Sequence, residues 1–205
     1  VNGVAQPQYI WTGNLASRTT TIATIGSYNF ISGINTIDAW TSLGCDSISS
    51  NDSISIEFSA CIGNNTSTTY YSIGGQGADF PTINSAVSAL INSGICGNVV
   101  YDINPKGSFY NEQVSIPLIA GTENGNTITF RGNSADSNLI VLTYNAGSNA
   151  DKYALKLDGA VNIIFENFII QNYDSTYSTV VEISNYSSNI EFENMTIKSK
   201  PYPAA

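Results

Sequence analysis

The sequence predicts an all-β chain: a sandwich of short hairpins, followed by a solenoid of stacked strands with one helix at its head. Three observations lead there. Charged residues make up only 11% of the 205, and Ser, Thr, Asn and Gly fill the polar positions, which favours strand faces and turns over helices. Short apolar alternations bounded by turn clusters recur along the whole chain. Near the C-terminus a nine-residue text repeats at a spacing of 27 residues, and fixed-period self-similarity marks a solenoid.

Composition excludes several function classes. With 7 Lys+Arg against 16 Asp+Glu and a net charge of −9, the chain lacks the basic surface that nucleic acid requires. It contains no His, which removes Ser-His-Asp and Cys-His catalysis and His-ligated zinc. No run of about 18 apolar residues is present to span a membrane as a helix. No cofactor is expected. The chain opens on Val1 and closes on Pro201-Tyr202-Pro203-Ala204-Ala205, and it is expected to be a piece of a longer protein.

The first module is expected over residues 1–67. Tyr9–Trp11, Thr19–Ile25, Ser27–Ile31 and the alternating Ile54, Ile56 and Phe58 read as strands, with turns at Gly33-Ile34-Asn35 and Ser49–Asp52. Cys45, Cys61 and Cys96 show no CxxC spacing, so one disulfide and one buried thiol are expected. Cys45–Cys61 is the expected pairing, because both flank a terminal strand pair.

The second module is expected over residues 68–205. Ile83, Ala86, Val87, Leu90 and Ile91 fall on one helical face, with Thr82 as N-cap and Gly94 as stop. Only strands follow: Val99–Ile103, Val114–Ile116, Thr127–Phe130, Leu139–Tyr144, Ala154–Leu157, Ile163–Phe165, Phe168–Ile170, Val180–Ile183, Ile190–Phe192 and Met195–Ile197.

The repeat aligns Asn162–Ile170 with Asn189–Ile197, identical at six of nine positions, and a fainter copy begins at Asn126, 36 residues before Asn162. Phe165 and Phe168 are three apart, so a residue between them must leave the extended conformation for both to face inward. Asn167 and Asn194 suit the left-handed region, and Gly132 holds a similar place in the faint copy. Stacked coils would set these residues about 4.8 Å apart as a ladder.

Two resemblances follow from these residues. Tyr9-Ile10-Trp11, Gly26-Ser27-Tyr28, Gly44-Cys45-Asp46 and Asp52–Ile56 resemble the second half of the PKD-like and immunoglobulin-like repeats of large bacterial surface proteins. That likeness implies a partial sandwich whose other edge is completed by upstream chain or a partner. From Thr69 to Ser199, the run Ile73–Ile83 with its helix, then Gly94–Val100, Tyr110–Ile116, Asn126–Phe130 and Lys156–Gly159, resembles the start of a right-handed parallel β-helix. The family is the pectin-esterase/pectate-lyase superfamily, in the form found in Bacteroidetes-type secreted surface proteins. The likeness implies an N-terminal capping helix over a β-helix.

Within that superfamily the catalytic Asp, Gln and Arg motifs of pectin esterases lie on later coils, and none of those motifs occurs here. Asp158, Glu166, Glu182, Glu191 and Glu193 alternate with apolar residues and are expected to face solvent, so no catalytic or metal-binding residue is assigned. Gly74–Asp79 matches one calcium-binding nonapeptide, but such sites need stacked copies, and a turn is expected instead. The Asp46–Asp52 cluster lacks EF-hand spacing. Asp-Ser pairs followed by Ile or Thr make Ser47, Ser53 and Ser175 candidate O-glycosylation sites, and Asn64-Asn65-Thr66-Ser67 contains two overlapping sequons. The leading expectation is a structural or adhesive segment of a secreted cell-surface protein. Its partners would be other modules, copies of itself or carbohydrate. The alternatives are the start of a polysaccharide-active enzyme, or a carbohydrate-binding module using Tyr173, Tyr177 and Tyr186.

Overall fold

The computed structural model describes residues 1–28, 30, 33–42, 48, 50, 52–133, 139–145, 147–149, 152–174 and 178–199. The chain forms two compact units, Val1–Ala60 and Cys61–Ala205. The boundary precedes the expected one because residues 61 and 62 already belong to the second unit. The Ile62 N–H donates to the Gly94 carbonyl at 2.9 Å, and Cys61 is bonded to Cys96.

In the first unit, β1 (Gly33–Trp40) pairs antiparallel with β2 (Ser53–Ala60), placing Ile37 opposite Ile56 and Ala39 opposite Ile54. One face of this ribbon is apolar, with Phe30 packed edge-on against Phe58 at 4.9 Å. The other carries Thr36, Glu57 and a Ser55 hydroxyl donating to Asp38 at 2.6 Å. Asn2 clamps β1, donating its N–H to the Thr36 carbonyl and accepting the Thr36 N–H on Oδ1. The segments expected as strands at Tyr9–Trp11 and Thr19–Ile25 have no ladder partner and no regular structure. β-branched composition favours a strand only where a neighbour accepts its hydrogen bonds. A strand instead occupies Gly33–Trp40, where a turn had been expected.

The second unit is a parallel β-helix built from three sheets. The first contains β3 (Thr69–Ile73), β4 (Val99–Ile103), β7 (Ile128–Gly132), β10 (Val161–Glu166) and β13 (Ser188–Glu193), in that spatial order. The second contains β5 (Tyr110–Asn111), β8 (Val141–Thr143), β11 (Ile169–Asn172) and β14 (Thr196–Ser199). The third contains β6 (Val114–Pro117), β9 (Tyr153–Asp158) and β12 (Thr179–Ser184). Every pairing among them is parallel. The chain visits the sheets in turn, and the inward side chains of successive coils meet in one shared core.

Stacking makes the interior a set of columns. Tyr71, Tyr101, Phe130, Phe165 and Phe192 occupy one register position on the five strands of the first sheet. Their rings stack at centroid separations of 5.6, 5.3, 5.7 and 5.2 Å. Such ring pairs contribute about 0.5–1.5 kcal/mol each beyond burial. Val99, Ile128, Ile163 and Ile190 form a parallel aliphatic column, and Val114 and Leu155 begin another. The repeated segments pair as expected, Phe165 beside Phe192. The faint copy is one residue out, since Ile128 lies beside Ile163 and Phe130 beside Phe165; alignment on Asn126 shifts the column off its apolar face.

The helix α1 (Ile83–Ser93) leaves the first sheet after β3 and packs on β6. Thr82 and Ser85 form a reciprocal capping box, and Gly94 stops the helix with φ 64°. Ile83, Ala86, Val87 and Leu90 are buried in the core, closing the first coil, while Ile91 is exposed.

Candidate functional site

The outward face of the first sheet carries a row of polar groups fixed by strand register: Ser72, Asp102, Arg131, Glu166 and Glu193 on successive coils. Because strand neighbours repeat about every 4.8 Å, these groups line the β-helix axis. Arg131 is held by Asp102, with Nε donating at 2.8 Å and a second nitrogen at 2.7 Å, and its guanidinium lies 5.8 Å from the Tyr70 ring centroid. At the head of the row, Asp79 accepts the Ser72 N–H and then the Ser72 hydroxyl, and these hold its carboxyl below the usual carboxylate range.

A second polar cluster covers the third sheet. Lys156 lies 3.5 Å from Asp158 and 3.6 Å from Glu182, with Lys152 at 3.9 Å from Glu182. Hydrogen bonds from the Ser184 hydroxyl and the Asn185 amide lower the Asp158 pKa, opposed by desolvation. Desolvation pulls the Lys156 ammonium down, but the charge and hydrogen bond of Asp158, with Glu182, outweigh it and raise its pKa. The arrangement is an ion network on an open face, where such pairs contribute little stability.

Glu112 lies in the Tyr110–Ile116 run, between β5 and β6. Its carboxylate accepts the Asn84 N–H at 2.8 Å and the Ile83 N–H at 3.3 Å, so it caps the positive end of α1. Tyr110 is buried, and its hydroxyl donates to the Asn104 carbonyl at 2.6 Å. Burial, then the Glu112 charge, pushes its pKa up to about 12. A Cβ on Gly74 would lie 1.9 Å from that hydroxyl, so the Gly74–Asp79 segment is a turn built around Tyr110. Among the described residues, no cluster of three or more Cys, Asp or Glu is placed to hold a metal ion.

The assigned residues fall as follows. The disulfide is Cys61–Cys96, with Cα atoms 5.6 Å apart; this corrects the Cys45–Cys61 expectation. Parallel bridging of Ile62 with Ile95 brings Cys61 and Cys96 together, a non-local contact that flanking strands could not reveal. Cys45, Ser47, Ser175 and Tyr177 lie outside the described residues. Ser53 is exposed at the start of β2, but Ile54 and Ile56 are 58% and 49% exposed as well, so outward and inward do not differ there. Asn167 and Asn194 adopt positive φ and form the expected ladder, Asn194 Nδ2 donating to Asn167 Oδ1 at 2.5 Å. Gly132 stands in that column without positive φ. It is glycine because a Cβ would lie 2.1 Å from the Asn167 carbonyl oxygen. A second ladder, Asn189 on Asn162 at 2.9 Å, also with positive φ, was present in the same repeat text. Tyr173 and Tyr186 are exposed.

No protein-family model matches the chain, and no curated protein does. Among solved structures, a pectin methylesterase from Aspergillus niger is similar at 16% identity and a TM-score of 0.49, over 63% of this chain and 42% of that enzyme. The chain therefore spans less than half the length of that structure.

Proposed function

We propose that the chain is a structural and adhesive segment of a secreted cell-surface protein, in which the β-helix acts as a stiff spacer. The observation that carries this reading is the unbroken interior column Tyr71–Tyr101–Phe130–Phe165–Phe192, flanked by asparagine ladders at the corners. Ladders of this kind resist bending because neighbouring coils are hydrogen-bonded to one another in three sheets. The Cys61–Cys96 disulfide supports an oxidising, extracellular setting. Partners on this reading are other surface modules, copies of the chain, or carbohydrate. Sugars on Ser47, Ser53 and Ser175 belong to the same proposal and are read by intact mass of the native protein.

A second reading, the start of a polysaccharide-active enzyme, is favoured by the Asp102–Arg131–Glu166 row beside Tyr70. Incubation of the purified chain with methyl-esterified and de-esterified pectin, with and without Ca²⁺, separates the two. The scaffold reading predicts no methanol or reducing ends above a boiled control. Release above that control, abolished by Arg131→Ala, would replace it.

A further inference from the structure

A shallow hollow lies at the corner that precedes the first sheet, where residues 64–68 overhang the turns at Gly97–Asn98 and Asn124–Asn126. It encloses about 420 Å³ between Asn65, Asn124, Asn126, Ile95 and Cys96, and shares Asn65 and Asn126 with an adjoining hollow of about 280 Å³. In a chain of net charge −9, no residue lining either hollow is ionisable in this state: Cys96 is in the disulfide and the remainder are amides, hydroxyls, Gly97 and Ile95. The wall is fixed in place. Cys61–Cys96 ties its floor, and a Cβ on Gly97 would lie 2.0 Å from the Asn64 carbonyl oxygen, so glycine there lets the overhang close.

The fold uses only part of the amide set. Asn64 Oδ1 accepts the Thr66 N–H at 3.0 Å and its hydroxyl at 2.8 Å, Asn98 Oδ1 accepts the Thr127 N–H at 3.0 Å, and Asn126 Nδ2 donates to the Gly121 carbonyl at 3.0 Å. The other halves of those three amides enter no hydrogen bond among the described residues, and neither do the complete side chains of Asn65 and Asn124 on opposite lips. The corner thus presents donors at Asn64, Asn98, Asn65 and Asn124, and acceptors at Asn126, Asn65 and Asn124.

We infer that this hollow binds an uncharged pyranose, either free or as a unit of a glycan. A sugar hydroxyl donates and accepts at once, which suits mixed amide halves. An ion would lose hydration here and meet no opposite charge. The size falls within the range of small-ligand clefts, and the Cys61–Cys96 disulfide lies at its floor. The inference deepens the adhesive reading and rests on it for its biological purpose. The two fail separately, because catalysis is read on pectin and this site by titration.

The test is amide NMR of the intact chain titrated with methyl glucoside, methyl galactoside, methyl mannoside and N-acetylglucosamine, with galacturonate and glucosamine as charged counterparts. At least one neutral sugar should give saturable shifts confined to residues 64–68, 95–98 and 124–126, with the charged counterparts weaker. The N65A/N124A variant, which removes side chains the fold does not bond, should keep its melting temperature and bind about tenfold more weakly or worse. No saturable shift with any neutral sugar, shifts mapping elsewhere, equal response to the charged sugars, or unchanged binding by the variant would each overturn the inference.

Discussion

Asn162, Asn167, Asn189 and Asn194 hold φ between 49° and 60°, a region that costs most residues strain but suits asparagine. Each also bonds its counterpart one coil away, so one residue type both turns the corner and ties the coils. At Asn167 and Asn194 both properties were legible in the sequence, because three-residue spacing between inward aromatics demands a bend and the repeat stacks like on like; at Asn162 and Asn189 they were not read. The glycine at 132 was placed correctly but for another reason: a close carbonyl, which only packing reveals. Tyr101 is the misfit of the interior. It is fully buried, its hydroxyl has no hydrogen-bond partner among the described residues, and burial pushes its ionisation well upward. Tyr101→Phe should therefore keep the ring stack and raise stability by about 1 kcal/mol or more in a denaturant melt; a loss of stability would show that the hydroxyl is satisfied. Asp158 gives a pH prediction. Its carboxyl is lowered from 3.8 by Ser184 and Asn185, so its contribution is complete above that value and fades as pH falls through the folded pKa. The stability difference between wild type and Asp158→Asn should be constant above about pH 5 and shrink toward about pH 2. A difference independent of pH would remove the assignment.

The elements were read with uneven success, for a physical reason. Periodicity found α1 with its Thr82 cap and Gly94 stop, because an amphipathic helix is encoded locally. It also found the strands of the repeat. It missed β3 and β5, which carry Tyr71 and Tyr110 amid polar residues, although an apolar-x-aromatic pair recurs at residues 99–101, 128–130, 163–165 and 190–192. That recurrence was the available signal for the column. The disulfide and the pairing of Ile62 with Ile95 were not legible, since they join residues with no shared local pattern. Two predictions belong here. Val87→Asp with Leu90→Asp should expose the end of the first coil and give associating protein in sedimentation, because unpaired coil ends template aggregation; unchanged monomer with an unchanged melt would deny α1 its capping role. Phe165, between Phe130 and Phe192 and against Phe168, should cost about 3–5 kcal/mol when truncated to Ala. A cost under about 1 kcal/mol would mean that the column is not packed.

At the scale of the molecule, the two units differ in how they are stabilised. The first places an apolar ribbon face, with Ile54 and Ile56, in contact with water, and the two-stranded ribbon among its described residues is marginal by itself. The second builds its own core from Ile62 to Val180 and closes its first coil with a helix. Its stiffness is the property on which the scaffold reading depends, and it follows from register carried without a break over five strands. Tyr70 and Glu191 mark the outward face at either end of that sheet, connected through Val100, Thr129 and Ile164 in register. Spin labels on cysteines replacing these two residues, in a Cys45→Ser background that leaves Cys61–Cys96 intact, measure the stack directly by dipolar EPR. Four strand spacings place the labelled positions about 19 Å apart, and a rigid parallel β-helix predicts one narrow distribution near that value, broadened only by the label arms. A broad or multiple distribution, or a mean far from four spacings, would contradict the account.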